Sequence, residues 1–293
     1  MAEDELFQVK NYFYLGNYQS AITEATQSTF DESSKTELDC LIYRSYIGMN
    51  SLQLVTNEIT DDKPMDLLAV RLLATYKQGF STAGYREVAL QMLNALMEDS
   101  SANTNPTLQL MAGYIYAYEQ DYDKALRAVH NGYSLEQLAL HIQILLKIDR
   151  VDIAERELKS MYQLDEDATL TQLTTAWVNM AMGGEKLQEA YFILQELAEK
   201  FSHTVQLLNG LAVYHMLAGK YQEAEKLLKD ALDKNNNDPD TLANLIACSP
   251  HTGKSAELVK RYESQLSAVA PGHGWVTNKT AMSAAFDRAV DSM

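Results

Sequence analysis

Residues 205–239 read VQLLNGLAVYHMLAGKYQEAEKLLKDALDKNNNDP, and this stretch decides the fold. Leu208, Leu211, Ala212 and His215 recur at i, i+3, i+4 and i+7, the spacing of one face of a helix. Gly219 then supplies a residue that takes positive φ at no steric cost, and Lys220 follows in the turn. Tyr221, Ala224, Leu227, Leu228, Ala231 and Leu232 form the apolar face of a second helix. Small residues at Ala212 and Ala224 let the two helices approach closely. Asp238-Pro239 starts a new element, since Asp is a good N-cap and Pro fits the first helical position.

Ala224 serves as a ruler for the rest of the chain. Gly16–Ala21 nearly repeats the hexapeptide Gly219–Ala224, and Ala125, Ala154 and Ala190 follow comparable turns. Val55, Ala89 and Leu258 are weaker equivalents. The steps from 21 through 55, 89, 125, 154, 190, 224 and 258 are 34, 34, 36, 29, 36, 34 and 34 residues. A period near 34 is that of tetratricopeptide (TPR) hairpins. The expected fold is therefore all-α, a TPR-like solenoid of about eight hairpins plus a C-terminal capping helix, in one continuous domain over 1–293. The hairpins fall roughly at 3–30, 36–62, 65–99, 106–132, 135–164, 169–201, 204–235 and 239–269, with a final helix over 276–291 that covers the open end.

Punctuation supports these boundaries. Asn105-Pro106 matches Asp238-Pro239, and Lys63-Pro64 precedes the third hairpin. Ser134–Gln137 and Thr169–Gln172 have the pattern of capping boxes. Pro250 should shorten the first helix of the last hairpin. Gly79–Gly84 predicts a longer turn inside the third hairpin, and the 29-residue step predicts an early end to the fourth, near Gly132.

Composition narrows the function. Of 293 residues, 46% are apolar, enough for a core. With 24 basic and 40 acidic residues the net charge is −16, which repels phosphate backbones and anionic lipid. No apolar run reaches membrane-spanning length. The opening Met1–Glu5 has neither the basic nor the apolar character of a signal peptide. Cys40 and Cys248 are far apart and read as buried thiols in a reducing cytosol.

Catalytic signatures are weak. Gly253-Lys254-Ser255 resembles the end of a phosphate-binding loop, but Cys248 stands where that loop needs glycine, and the turn joins two helices. A helix stop followed by an N-cap accounts for it better. The six histidines are scattered, with no zinc spacing. His141 and His215 read as packing residues, as do Met161 and Met180. No catalytic residue, cofactor or metal is expected.

First helices of a TPR stack line its concave surface. Counting back from each anchor places inward Phe13, then Arg44 and Ile47, then Tyr114 and Tyr118, then Gln143 and Leu146. Further along come Thr175, Asn179 and Met182, and finally Asn209, Val213 and Met216. Aromatic, amide and aliphatic anchors together favour a protein or peptide partner over mere interior packing of a tight superhelix. A carboxylate clamp for an acidic chaperone tail would need lysines beside Asn179 and Asn209, and the neighbouring inward positions hold none.

Several stretches carry a resemblance to a known family. Asp4–Asn11 with Leu15–Gln19, Ile144–Arg150, Asp165–Leu173, Ala176–Val178, Gly183–Gln188, Leu207–Gly210 and Phe286–Arg288 resemble the epsilon subunit of coatomer, most strongly over 144–234. That resemblance implies a non-enzymatic subunit of the COPI vesicle coat, acting in Golgi-to-endoplasmic-reticulum and intra-Golgi transport. It implies the C-terminal region of the alpha subunit as direct partner, within a complex with the other coatomer subunits. It also implies a cytoplasmic protein that reaches Golgi membranes only through that complex. The alternative is a TPR adaptor in another cytosolic assembly, such as a co-chaperone.

Overall fold

A computed structural model describes residues 5–100, 102–130 and 132–291. Glu3 and Asp4, the start of the first expected hairpin and of the first resembling stretch, lie outside the described residues. Among those residues the regular elements are all helical. The chain divides into two compact units, Met1–Phe201 and Ser202–Met293.

The first unit contains six helix pairs. They are α1 (Phe7–Tyr14) with α2 (Tyr18–Gln27), α3 (Lys35–Gly48) with α4 (Leu52–Glu58), and α5 (Met65–Gln78) with α6 (Tyr85–Glu98). Then come α7 (Pro106–Tyr118) with α8 (Tyr122–Val129), α9 (Leu135–Lys147) with α10 (Val151–Asp165), and α11 (Thr169–Met182) with α12 (Lys186–Phe201). The second unit holds α13 (Val205–Leu217) with α14 (Tyr221–Lys234), α15 (Pro239–Cys248) with α16 (Ala256–Val269), and the single helix α17 (Gly274–Asp291).

The ruler marks the packing. Ala21, Val55, Ala89, Ala125, Ala154, Ala190 and Ala224 are all at most 1% exposed, and Leu258 is half-buried.

A second ruler runs through the turns. A left-handed residue occurs in each one, at Gly16, Asn50, Gly84, Gln120, Asp149, Gly183 with Gly184, Gly219 and Gly253. Around Gly219 the N–H of Gly219 donates to Met216 O (3.0 Å) and that of Lys220 to His215 O (2.8 Å). This pair of bonds is a Schellman closure, which satisfies carbonyls left over at a helix end. It recurs at Asn50, where Asn50 N–H donates to Ile47 O and Ser51 N–H to Tyr46 O. It recurs again at Gln120 and at Asp149. A positive φ costs a non-glycine residue about 1–2 kcal/mol, so at Gln120 and Asp149 the closed turn outweighs local preference.

Most punctuation behaves as expected. Asn105 Oδ1 accepts from Leu108 N–H at 2.8 Å, Asp238 Oδ2 from Thr241 N–H at 2.9 Å, and Ser134 Oγ from Gln137 N–H at 3.2 Å. The helix before Pro250 ends at Cys248 and relaxes into a 3₁₀ turn over Ser249–Thr252. The fourth hairpin stops at Val129. Two expectations need correction. Thr169 does not cap α11: Ala168 occupies the N-cap without a side-chain bond, and Gln172 Nε2 instead donates to Glu166 O at 2.8 Å. Helix α17 forms, but its apolar contacts with the core are Trp275 and Val276 in its first turn, Lys279 Nζ adds an ion pair to Glu263 at 2.6 Å, and none of its residues is buried.

In the first unit α1 packs against α11 as well as against α2 and α3. Its Tyr14 lies on the cluster built by Leu138, Ile142, Leu145 and Met161. Hairpins far apart in sequence are thereby brought to one place, which prepares the site.

Candidate functional site

Helices α1, α3, α5 and α7 enclose an open pocket of about 180 Å³ in the first unit. Phe13, Ile47, Leu73, Tyr114 and Tyr118 form its apolar walls, with Tyr18 from the start of α2. Arg44 and Lys77 are the charged residues among its lining. Five residues expected on the inward face, Phe13, Arg44, Ile47, Tyr114 and Tyr118, are therefore collected in one place.

Arg44 is not free there. Its Nη1 and Nη2 donate to Glu136 Oε2 and Oε1 at 2.9 and 3.0 Å, a two-pronged pair between α3 and α9. The Arg44 side chain is 9% exposed and lies 4.6 Å from the Phe13 ring centroid. Burial works against its charge, and the Glu136 carboxylate more than restores it. Burial, followed by the negative charge of Glu136, holds the Tyr14 hydroxyl well above its ordinary range.

The remaining inward residues divide by burial. Gln143 is exposed, Met182 is 39% exposed, and Leu146 is half-buried. Thr175 and Asn179 are buried and engaged: Thr175 Oγ1 donates to Thr171 O at 2.8 Å and meets Tyr162 Oη at 2.9 Å. Asn179 Nδ2 donates to Glu189 Oε2 at 3.4 Å.

In the second unit Asn209 is the centre of a polar network. Its Nδ2 donates to Val205 O (3.0 Å), Thr241 Oγ1 (2.8 Å) and Asp238 Oδ2 (3.3 Å), while its Oδ1 accepts from Asn244 Nδ2 at 2.9 Å. The amide ties α13 to α15, so its polar groups are used within the unit. Val213 and Met216 are half-buried, Met216 against the unit's core. Asn209→Ala is expected to lower stability by about 1–3 kcal/mol, the cost of leaving buried groups without partners. Urea unfolding followed by circular dichroism measures it, and an unchanged midpoint would show that the network is idle.

The loop fragment at Gly253-Lys254-Ser255 has the simpler role. Gly253 takes φ 70° at a helix stop, Ser255 Oγ accepts from Leu258 N–H at 3.3 Å, and Lys254 Nζ sits 3.0 Å from Glu225. Both cysteines are buried with free thiols. Burial pushes Cys40 up to about 12, which makes it a poor nucleophile. No cluster of three or more His, Cys, Asp or Glu suited to a metal occurs among the described residues. Nor is any described helix long and apolar enough to cross a membrane.

Leu73 and Lys77 escape a simple count back from the anchor. Tyr114 and Tyr118 precede Ala125 by 11 and 7 residues, whereas Leu73 and Lys77 precede Ala89 by 16 and 12. Three residues of this five-residue offset come from the longer turn, six residues at 79–84 against three at 119–121, and two from where these residues stand within their helices. Glu136 had no such signal, because its partner lies 92 residues away.

Comparison with known proteins completes the description. The family model for the coatomer epsilon subunit matches residues 2–293. The chain is 44% identical to coatomer subunit epsilon-2 of Arabidopsis thaliana, covering 98% of this chain and 96% of that one. It is also 44% identical to coatomer subunit epsilon-1 of Oryza sativa subsp. japonica, covering 99% and 98%. Among solved structures, a tetratricopeptide repeat protein from Parabacteroides merdae superposes with a TM-score of 0.54 at 15% identity, over 85% of this chain and 98% of that one. With TPR-like hairpins throughout and relatives aligned along nearly its full length, the chain belongs to the coatomer epsilon subunit family.

Proposed function

We propose that the chain is a non-catalytic structural subunit of the COPI coat that binds and stabilises the C-terminal region of the alpha subunit. It does so within a complex with the other coatomer subunits, in Golgi-to-endoplasmic-reticulum and intra-Golgi transport, and meets Golgi membranes only through that complex. The observation that carries this reading is the family match over residues 2–293. The repeat period supports a single continuous domain, because the 34-residue step from Ala190 to Ala224 crosses the boundary between the two units without interruption.

The thirteen inward residues divide between two roles in this reading. In the first unit Tyr118 (49% exposed), Met182 and Gln143 offer contact area, and Phe13, Tyr114 and Leu146 are half-buried; in the second unit Val213 and Met216 are half-buried. Ile47, Thr175, Asn179 and Asn209 are buried, the Arg44 side chain is 9% exposed, and each holds the hairpins of its own unit in shape. Exposed aromatic and thioether side chains make good anchors in an interface core, and a charge placed there would be desolvated without a partner.

The test is co-purification from cytosol. The wild-type chain should recover the alpha subunit and the other coat subunits in equal amounts. Tyr118→Glu combined with Met182→Glu should reduce recovery of the alpha subunit at least tenfold while far-ultraviolet circular dichroism stays unchanged. Equal recovery by the double variant would remove the site from the reading, and absence of the alpha subunit from the wild-type eluate would remove the partner.

A further inference from the structure

The pocket of the first unit has a shape and a charge that specify more than an apolar contact. Its volume of about 180 Å³ is that of a cavity able to take one benzene-sized group. Its walls are already in place. Gly48 allows the Tyr18 ring to lie directly on α3, since a Cβ there would come within 2.5 Å of the Tyr18 ring carbons. Phe13 and Tyr18 lean on each other at 5.8 Å, and Tyr118 packs on Tyr76 at 6.2 Å and on Phe80 at 6.4 Å. Rings braced in this way lose little freedom when a guest enters.

The charges decide which guest. Arg44 is neutralised by Glu136. Lys77 is half-buried with Nζ 5.4 Å from the Tyr118 centroid, and no carboxylate among the described residues pairs with it. An aromatic enclosure alone would suit an ammonium group, but the Lys77 ammonium repels one. A phosphate group calls for several converging donors, and Lys77 is the one cation of the lining left without a carboxylate. Covering Lys77 with a purely apolar surface would strand its charge. The complementary guest is an apolar side chain with a carboxylate beside it.

Building on the partner-binding reading above, we propose that this pocket takes an aromatic or large aliphatic side chain of the partner polypeptide, flanked by an Asp or Glu whose carboxylate pairs with Lys77. The pocket thus selects acidic–apolar segments, although the chain as a whole carries a net charge of −16.

Two measurements test it on the full chain. In the first, two short peptides are titrated by NMR, one with a single Phe between two Asp residues and one with that Phe between two Lys residues. The wild-type chain should bind the Asp peptide at least tenfold more tightly. Lys77→Glu should invert the preference, and Lys77→Gln should abolish it, with thermal unfolding unchanged in both variants. Equal binding of the two peptides, binding of neither, or displacement of the Asp peptide by millimolar inorganic phosphate would overturn the proposal. In the second, the C-terminal region of the alpha subunit is titrated into the same three chains, and Lys77→Glu should weaken it at least tenfold. If the wild-type chain selects the Asp peptide but ignores the alpha fragment, the pocket stands and the named partner fails. If the alpha fragment binds all three chains equally and the peptides show no preference, the pocket fails and the partner stands.

Discussion

Replacing Glu136 by alanine is expected to destabilise the chain by about 3–5 kcal/mol, the range for removing one partner of a buried ion pair. The Arg44 side chain is 9% exposed and that of Glu136 18%, so water replaces the carboxylate only in part. Both prongs of the pair would be lost, leaving a guanidinium among Phe13, Ile47 and Tyr114. Because α3 and α9 belong to hairpins three apart in sequence, the loss falls on a contact between distant hairpins of the first unit. Replacing both partners together, Arg44→Met with Glu136→Leu, removes the stranded charge and should recover most of the loss, since apolar replacements of buried pairs are often neutral or better. Urea unfolding followed by circular dichroism distinguishes the two variants. A single variant within 1 kcal/mol of wild type, or a double variant no better than the single, would refute this account. Added salt should change the wild-type midpoint little, because buried pairs are weakly screened.

Leucine at Gly113 is expected to produce the second large loss, about 3 kcal/mol or more, at the upper end for overpacking a core. Gly113 lies inside α7, where glycine costs about 1 kcal/mol relative to alanine. The reason to keep it there is close approach. A Cβ at this position would stand 2.8 Å from Val129 Cγ1 and 2.9 Å from Leu140 Cδ2, so α7 rests almost directly on side chains from α8 and α9. The listener in solution is the melting curve: Gly113→Ala should change stability by less than 1 kcal/mol, because the gain in helix propensity offsets a small shift of two side-chain ends. Leucine adds atoms for which no space exists, so the helices must separate. A leucine variant that unfolds like the alanine one would show that this contact is loose.

Much of the fold was legible because the signals that build it are local. The apolar spacing of Leu208, Leu211 and Ala212, a turn at Gly219 and a small residue at Ala224 each act within one hairpin. The same step length therefore located the other hairpins, and their anchors except the half-buried Leu258 are buried. Local reading failed where two local solutions compete. At Thr169 the side chain could cap α11, yet the helix begins at Thr169 itself and Ala168 takes the cap position. At 276–291 a final helix was expected to cover the open end, but its Met282, Phe286 and Val290 are 73, 70 and 51% exposed.

The inward face was legible as a set of positions, but the use of each position was not. Asn209 and Tyr118 look equally suitable for a partner when read along a helix. Asn209 instead meets Thr241, Asp238 and Asn244 on the next hairpin, and its amide is consumed there. Tyr118 ends its helix at the rim of the pocket and remains half open. Lys77 was hidden by the longer turn that follows its helix, and Glu136 looked like no more than the second residue of a capped helix.

The sequence by itself determined that this chain is all-helical, that its helices pair at a step near 34 residues, and to which family it is similar. Those properties follow from helical periodicity, capping and small-residue spacing, all of which act over a few turns of chain. The tertiary structure alone decided that Arg44 pairs with Glu136, that Gly113 must stay small, and that Phe13, Tyr114, Tyr118 and Lys77 share one pocket. These depend on packing between hairpins distant along the chain, where a few degrees of rotation per repeat choose which side chains meet.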